Sequence, residues 1–165
     1  MESNDTIIIK LKNIITEYLC KKILMNTIEI KRVEGDFGFE AQDANGHTIR
    51  LDTSDETGGN NFGVRPMQSL LMGLGGCSGI DIVSILKKQR LTLEGFSMKI
   101  KGEREKGKEP SLWESVHIDF ELKGNIDKDK AERACALSIN KYCSVAETLR
   151  RSGTKITWSL RVNSQ

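Results

Sequence analysis

The chain has 165 residues, enough for one domain with a hydrophobic core. Its charges nearly balance, since 25 Lys and Arg and 23 Asp and Glu give a net charge of +2. Aromatic residues make up only 5% of it, and no basic stretch is interleaved with them. The composition therefore excludes the strongly basic surface with which a protein binds nucleic acid or an anionic membrane, and we expect neither partner.

Four cysteines are present, at positions 20, 77, 135 and 143. None belongs to a CxxC pair or to a Cys/His cluster with the spacing of zinc ligands, so the sequence predicts no metal site. The first residues, Met1 to Asp5, carry acids and are followed by no secretory cleavage site. We therefore expect a cytoplasmic protein, in which thiols stay reduced unless they are catalytic or redox-sensing.

Residues 1–24 differ in pattern from the rest of the chain. Apolar residues recur there at helical spacing between lysines, which indicates a basic amphipathic helix, and Met25 then opens a strand directly. We hypothesise that 1–24 is an N-terminal extension, or an upstream stretch included by a mis-assigned start codon, and that the domain spans 25–165. A mass measurement of the native N-terminus tests this hypothesis, and a mature chain that begins at Met1 contradicts it.

The domain begins with a predicted meander. Residues 26–34 alternate apolar and polar, Gly35-Asp36 supplies a turn, and Asn45-Gly46 supplies a second turn before a strand at 47–51. Residues 53–63 are polar and rich in glycine, which predicts a mobile loop. We therefore expect three short antiparallel strands followed by a loop.

A long helix is predicted from Pro66 to about Arg90. Proline suits the first turn of a helix, and apolar residues lie nearly all round the middle of this one, which predicts burial on several sides. Polar residues interrupt an apolar run that is also too short for a transmembrane span. Four glycines flank Cys77, and each weakens a helix by roughly 1 kcal/mol against alanine. We therefore expect another backbone or a substrate to approach closely there.

The second half of the chain completes an α+β pattern. Alternation with period two predicts strands at 93–101 and 113–123, joined by a charged loop, and a last strand at 155–162. Asp127 is a predicted N-cap for a second helix that runs to about Tyr142.

Two of the cysteines lie in motifs. Cys77 lies within RPMQSLLMGLGGCSGIDIVSILKKQR, and Cys143 lies 66 residues later within NKYCSVAETL. These stretches resemble the signature helix and the second-cysteine segment of the OsmC/Ohr thiol-peroxidase superfamily, and the order of predicted elements over 26–162 resembles that of the superfamily too. Within it, the sequence is most similar to the YhfA-like branch.

The resemblance implies a fold, an assembly and a chemistry. The implied fold is α+β, an antiparallel sheet with a long buried central helix and a second helix, in an intertwined homodimer. Cys77 is implied as the thiolate that attacks an organic hydroperoxide and becomes a sulfenic acid, and Cys143 as the thiol that condenses with it to a disulfide. A dithiol reductant returns the electrons, and neither a metal nor another cofactor takes part.

The residues that activate the thiol in peroxidases of the superfamily differ here. The resemblance places a glutamate directly after the helix-opening proline, where this chain has Met67 followed by Gln68. It places the partner arginine in the first hairpin turn, which reads EGDFG in this sequence. Three arginines are candidates for the activating role, and the sequence does not choose among them: Arg32, Arg50 and Arg65.

A second interpretation is a redox-inert or redox-sensing protein that keeps the fold and binds a small apolar molecule without peroxidase activity. A third is a structural dimer, for which Cys77→Ser changes only stability. In the first two cases an apolar pocket is expected, and four residues near Cys77 are predicted to line it: Met67, Gln68, Leu70 and Leu74.

The remaining chemistry-bearing residues have simpler predictions. Cys135 is expected in the core, and His47 and His117 are expected to be solvated or hydrogen-bonded strand residues. Asp81 lies four residues after Cys77 on the same helix face, where it is available to bond a neighbouring hydroxyl or the dimer partner. An acid so close to the thiol disfavours formation of the thiolate.

Overall fold

The computed structural model describes residues 26–163 and divides into two compact units, a first that ends at Pro66 and a second that begins at Met67. The first unit contains the strands of the predicted meander, and the second contains both motif cysteines. The predicted extension, 1–24, lies outside the described residues, so its origin stays a prediction.

The first unit is built on the predicted antiparallel meander. Its strands, in the order in which they pair, are β1 (Ile28–Glu34), β2 (Gly38–Asp43) and β3 (Thr48–Leu51). Both turns use a glycine at positive φ, Gly35 at +48° and Gly46 at +89°. Residues with a Cβ rarely adopt these angles, so the two glycines fix where the chain reverses. The prediction of a meander is confirmed.

One face of this sheet is apolar and exposed. The register pairs Ala41 with Ile30 on one side and with Ile49 on the other, so these side chains project from the same face. Ala41 is buried at the centre, whereas the apolar side chains around it are 37–57% exposed: Ile28, Ile30, Phe39 and Ile49. Apolar surface of this kind is typical of a face that packs against another structure.

The loop after β3 is held by one buried carboxylate. Asp52 is 2% exposed, and it accepts backbone N–H bonds from Thr53 at 2.7 Å and from Asn60 and Phe62 at 2.9 Å each. These bonds, led by the one from Phe62, hold the pKa of Asp52 below its usual range. The predicted polar loop is thus tied to the sheet at three backbone positions, and it contains a short 3-10 helix at Asp55–Thr57.

The long helix α1 (Pro66–Lys88) is confirmed, with 23 residues and an end close to the expected one. On one side its residues Leu74, Ile82 and Leu86 are fully buried in the core. On the other side, apolar residues are 41–71% exposed: Leu70, Met72, Ile80 and Val83. The prediction that α1 is buried on several sides was therefore wrong for the single chain. An apolar pattern shows that a face favours burial, but it does not show whether the same chain or another one packs against that face.

By length and composition alone, α1 is long and apolar enough to cross a membrane. The expectation that its apolar run is too short was therefore wrong. Its buried residues, which lie on one side of the helix, pack among side chains from the strands and other helices of the second unit.

The second unit contains a mixed three-stranded sheet. Strands β4 (Gly95–Arg104) and β5 (Trp113–Lys123) form the predicted hairpin, and β6 (Lys155–Asn163) pairs with β5 in parallel. The expectation of one antiparallel sheet was wrong, since the described residues form two three-stranded sheets, one of which contains a parallel pair. A parallel pair needs a crossover connection, and the segment between β5 and β6 supplies it.

The core of the second unit lies between this sheet and the helices. On β5, the middle strand, every second side chain is buried: Val116, Ile118, Phe120 and Leu122. The ring of Phe120 lies 6.2 Å, between centroids, from each of the rings of Phe96 and Trp158. Burial of such side chains stabilises the fold by about 1.5–3 kcal/mol each, so this row is a main source of stability.

Two of the four glycines around Cys77 lie where α1 meets β4. A Cβ on Gly75 would lie 2.9 Å from Ile100 Cδ1, and one on Gly79 would lie 3.0 Å from Met98 Cε. A Cβ on Gly73 or Gly76 would meet no heavy atom within 4 Å in the part of the chain that the structure describes. The expectation of another backbone or a substrate at these glycines was wrong for this pair, since the groups that approach closely are side chains of the sheet.

Three helical segments fill the crossover between β5 and β6. They are α2 (Lys128–Leu137), a π-helical turn (Ser138–Tyr142) and α3 (Ser144–Arg151). Asp127 caps α2 as predicted, because its side chain accepts the N–H of Lys130 at 3.0 Å. The expectation of a single second helix that carries both Cys135 and Cys143 was wrong, since the chain leaves α2 and becomes extended at Cys143.

On the outer face of the second sheet, Asp119 gathers three polar partners. Its carboxylate accepts bonds from Lys101 Nζ at 2.7 Å and Ser159 Oγ at 2.8 Å, and it lies 3.1 Å from His117 Nε2. These contacts, led by the one with Lys101, lower the pKa of Asp119 to about 2. The ionised carboxylate is therefore favoured in the folded protein.

Replacing Asp119 with asparagine should destabilise the fold slightly at neutral pH. Because the pKa of Asp119 is lower in the folded chain than its ordinary value of 3.8, the stabilisation is present above that value and is lost as the pH falls through about 2. The pairs are partly exposed, so we expect a melting temperature only about 1–3 °C below that of the wild type at pH 7. Calorimetry should show this difference shrinking steadily below pH 4, and a constant difference would contradict the electrostatic explanation.

Candidate functional site

Cys77 lies in the middle of α1, and its side chain is half-buried. It packs against the core of the second unit, and Asp81 follows it one helical turn later on the same face. The described residues therefore cover the Cys77 side chain only in part.

Cys143 lies at the break between the π-helical turn and α3. It is 2% exposed, and its extended backbone, with φ −69° and ψ 103°, makes it the N-cap of α3. Its Sγ accepts the N–H of Ala146 at 3.4 Å, and its own N–H donates to Ser138 O at 2.8 Å. An N-cap side chain faces the positive end of the helix dipole, which favours a negative charge on the sulfur. The break before α3 therefore places the Cys143 sulfur beside the backbone N–H of Ala146, at the start of that helix.

Two sulfurs and one carboxylate converge between α1 and α3. The Sγ atoms of Cys77 and Cys143 and a carboxylate oxygen of Asp81 all lie within 4.8 Å of one another. A disulfide bond is only about 2.0 Å long, so the thiols are adjacent and still separate. The two motif cysteines, 66 positions apart in the chain, are therefore neighbours in the fold.

Asp81 is bonded by a hydroxyl, as predicted. Ser138 Oγ lies 3.3 Å from Asp81 Oδ2 and 3.1 Å from Ser78 O, and both oxygens are acceptors for its single proton. Ser138 is fully buried at the first position of the π-helical turn, a rare feature that often occurs at functional sites. Sequence reasoning gave Ser138 no role at the site, since no local pattern signals that the helix widens there.

Burial affects the thiols of Cys143 and Cys135 in the same direction. It raises the pKa of Cys143 to about 11, with the N–H of Ala146 opposing the shift and the neighbouring Cys77 thiol adding to it. Burial also raises the pKa of Cys135 to about 12. Cys135 is fully buried in the core, as predicted. Both residues are therefore protonated thiols at neutral pH in the resting protein.

The three candidate arginines all belong to the first unit. Arg32 is exposed on β1, Arg50 lies with its guanidinium carbon 4.8 Å from the ring centroid of Phe62, and Arg65 donates to Gly63 O at 3.3 Å. The resemblance implies that one arginine supplies a cation near the first thiol. Their role in activating the first thiol stays a prediction.

The four residues predicted to line a pocket have different surroundings. Leu74 is fully buried in the core, whereas Gln68 and Leu70 are exposed on α1. Met67 packs against the core, and its carbonyl oxygen accepts the indole N–H of Trp113 at 3.1 Å. Their contribution to a binding site stays a prediction.

Two concave regions lie along α1. A groove of about 690 Å³ on the exposed side of the helix is lined chiefly by Met72, Gly76, Ile80, Val83, Phe96 and Met98. A second region of about 600 Å³, which we call the Asp81 cavity, is lined beyond Asp81 by Ser84, Ile85, Lys88, Gln89, Leu137 and Tyr142. Both volumes are typical of small-molecule sites. The Asp81 cavity adjoins the thiols, since Asp81 belongs to both.

The two histidines make ordinary hydrogen bonds. His47 Nδ1 lies 2.9 Å from Asp43 Oδ2 in the turn before β3, and His117 Nδ1 lies 2.8 Å from Thr157 Oγ1 on the second sheet. Both are hydrogen-bonded residues of a strand or its turn, as predicted.

Known proteins resemble this chain in both sequence and fold. A family model described as OsmC-like protein matches residues 57–159. Protein YhfA of Escherichia coli K12 is 38% identical over 134 residues, which cover 81% of this chain and 95% of YhfA. A solved structure of a hypothetical protein from Aquifex aeolicus VF5 is similar with a TM-score of 0.70 at 28% identity, covering 84% of this chain and 98% of that chain.

A more distant structure has the same fold. The organic hydroperoxide resistance protein OhrB of Bacillus subtilis is similar with a TM-score of 0.60 at 13% identity, covering 83% of this chain and 98% of that one. The resemblance inferred from the two cysteine motifs is thus confirmed by the family model, by YhfA and by solved structures. On the extent of the family match and the identity to YhfA, this chain belongs to the OsmC-like protein family.

Proposed function

We propose that this protein is a cytoplasmic thiol peroxidase that reduces organic hydroperoxides through Cys77 and Cys143. The observation that carries the proposal is the convergence of the two sulfurs within 4.8 Å. Their unequal exposure supports different roles. Cys77 is half-buried and meets the substrate, whereas Cys143 is 2% exposed and lies behind it as the resolving thiol.

The proposed reaction has two steps at the protein. The Cys77 thiolate attacks the terminal oxygen of the hydroperoxide, the O–O bond breaks, and the alkoxide takes up a proton and leaves as an alcohol. The resulting sulfenic acid on Cys77 is attacked by the sulfur of Cys143, and its hydroxyl leaves as water while the disulfide forms. A dithiol reductant then returns two electrons and two protons by thiol-disulfide exchange.

The surroundings of Cys143 support the second step. Its thiol must lose a proton as it attacks, and Asp81, within 4.8 Å of both sulfurs, is placed to accept that proton. The charge that develops on the sulfur is stabilised by the N–H of Ala146 at the start of α3. An arginine of the first unit, Arg32, Arg50 or Arg65, supplies the cation that favours the thiolate of Cys77 in this proposal.

Proteins of the OsmC-like family are generally dimeric, and the chain presents a surface suited to a homodimer. The exposed side of α1 is apolar around Ile80, which is 71% exposed in the single chain. Among the described residues, no heavy atom lies within 4 Å of the position that a Cβ on Gly73 or Gly76 would take. Small residues beside large apolar ones allow a second helix to approach closely, so we propose that this face of α1 lies at the dimer interface.

Hydroperoxide consumption tests the peroxidase proposal. With cumene hydroperoxide and dihydrolipoamide, we expect Cys77→Ser to abolish turnover, because it removes the attacking sulfur. Without reductant, the wild type should consume one equivalent and end as a disulfide, whereas Cys143→Ser should end as a sulfenic acid that dimedone traps. The matched control, Cys135→Ala, removes a thiol outside the pair and should keep turnover within about twofold of the wild type. Turnover that survives Cys77→Ser would overturn the proposal.

A second candidate function is the binding of a small amphipathic molecule in the Asp81 cavity. The cavity is lined by apolar groups such as Ile85 and by the cation Lys88, and the buried Oε1 of Gln89 accepts no hydrogen bond from the described residues. These groups suit a ligand with an apolar body and a polar end. Saturable binding of a fluorescent fatty acid by the wild type, weakened by Ile85→Trp, together with an absence of peroxide turnover, would favour this function.

A further inference from the structure

Three side chains with metal-binding atoms meet beside α1. Cys77 and Asp81 lie one turn apart on α1, and Cys143 comes from the N-terminus of α3, so that the ligand atoms of all three lie within 4.8 Å of one another. Within residues 26–163, this is the one group of three Cys, His, Asp or Glu side chains that meets such a spacing. The sequence predicted no metal site because no CxxC pair or Cys/His cluster has the spacing of zinc ligands, whereas these three side chains come from segments far apart in the chain.

The spacing is close to that of a tetrahedral site. With bonds of about 2.3 Å to sulfur and about 2.0–2.2 Å to oxygen, the ligand atoms around Zn²⁺ lie roughly 3.5–3.8 Å apart. The largest separation in the cluster, 4.8 Å, exceeds this by about 1 Å. A small movement of these side chains, which are not linked covalently, is enough to close the difference.

The cluster also has the outer hydrogen bonds that orient metal ligands. Ser138 Oγ donates to the Asp81 carboxylate at 3.3 Å, and the N–H of Ala146 donates to Cys143 Sγ at 3.4 Å. In metal centres such bonds fix the orientation of carboxylate and thiolate ligands. Asp81 and Cys143 are therefore each oriented by a hydrogen-bond donor, Ser138 or Ala146, that is not itself a ligand.

We propose that the reduced Cys77 and Cys143 pair binds one Zn²⁺ per chain together with Asp81, with a water molecule as the fourth ligand. Two thiolates select zinc over magnesium or calcium, which prefer oxygen ligands. Each thiol gives up one proton when the ion binds, and two thiolates with one carboxylate leave the site with a net charge of −1. The inference goes beyond peroxide reduction and does not depend on it.

Zinc and the disulfide exclude each other at this site. An oxidant such as diamide takes two electrons from the two thiolates, the sulfurs join, and the ion is released because neither sulfur remains a ligand. Conversely, a bound ion holds both sulfurs and slows their oxidation. The pair therefore links zinc binding to the redox state of the protein.

A zinc titration of the reduced full-length chain tests the site. Cys20 lies outside the described residues, so the titration uses a Cys20→Ser background in every sample. We expect one equivalent of Zn²⁺ to bind with release of about two protons, seen by calorimetry in buffers of different ionisation enthalpy. Affinity should fall at least roughly 100-fold in Cys77→Ser and in Cys143→Ser, and roughly tenfold in Asp81→Asn. The control Cys135→Ala should bind as the background protein does.

Several outcomes would overturn the site. Affinity unchanged in Asp81→Asn, or unchanged in both cysteine variants, would place the ion elsewhere. Oxidation of the Cys20→Ser background protein with diamide tests the site without any substitution at Cys77, Asp81 or Cys143. This test therefore remains valid even if a variant at the site fails to fold. Zinc binding that survives the oxidation would also overturn the proposal. No hydroperoxide is present in the titration. Its outcome therefore does not depend on whether the peroxidase proposal is correct.

Discussion

Replacing Ile80 with arginine should disrupt the proposed homodimer and leave a monomer. Ile80 is 71% exposed in the single chain, among the apolar residues Met72 and Val83 on the open side of α1. If a second copy covers this side, the substitution places a desolvated charge at the interface, and in a two-fold symmetric dimer it does so twice. We expect the dissociation constant to rise at least roughly 100-fold, as measured by sedimentation velocity over a range of concentrations.

The control for Ile80→Arg makes the same kind of change on another surface. Leu112 is also exposed, at 36%, but it lies in the loop before β5 rather than on α1. Leu112→Arg should leave the dimer intact, so that loss of the dimer in the α1 variant alone identifies the interface. A wild type that sediments as a monomer, or a dimer that tolerates Ile80→Arg, would contradict the proposed interface.

Replacing Phe120 with alanine should remove a large fraction of the stability of the second unit. Phe120 is 2% exposed on the middle strand and contacts the rings of Phe96 and Trp158. Truncation of a buried phenylalanine costs about 3–5 kcal/mol, which includes the cavity left among its neighbours. Since single domains are stable by only about 5–15 kcal/mol, we expect urea unfolding at a much lower midpoint and a melting temperature about 6–20 °C lower.

Phe120→Leu is the matched control for this prediction. It keeps apolar volume at the same buried position and loses the aromatic contacts, so we expect less than half the loss seen with alanine. A loss below about 1 kcal/mol for Phe120→Ala would mean that the site collapses around the smaller side chain, or that the aromatic cluster is not central to the fold.

The elements that depend on local chemistry were predictable. Gly35 and Gly46 mark turns because only glycine readily adopts the positive φ found there, and Asp127 marks a helix start because its side chain caps a free N–H. Alternation along 113–123 predicted the strand β5, since the period of a strand is two. Each of these signals acts over a few residues.

The elements that depend on distant contacts were not predictable from pattern. The parallel pairing of β6 with β5 depends on how the crossover packs, and alternation is the same in parallel and antiparallel strands. The π-helical turn that ends at Tyr142 breaks an otherwise continuous helical pattern, so the sequence predicted one helix where the chain forms two. The position of Cys143 as an N-cap follows from that break and was missed with it.

The candidate site was predictable in part. The nearness of Cys77 and Cys143 followed from the resemblance of two motifs, and the shared face of Cys77 and Asp81 followed from helical spacing. The burial of Ser138 against Asp81 had no sequence signal, because it requires the turn after α2 to lie against α1. The sequence did not choose among Arg32, Arg50 and Arg65 for the activating role, and that choice stays a prediction.

The parallel pairing of β6 also determines the order in which the protein can mature on the ribosome. The middle strand of the second sheet, β5, is synthesised well before β6, so the nascent chain carries an unpaired strand edge until translation has passed Asn163. The helices of the crossover, α2 and α3, both contact β6, and α3 is the helix that Cys143 caps. The packing of α3, and with it the N-cap at Cys143, is therefore completed only once β6 has been synthesised.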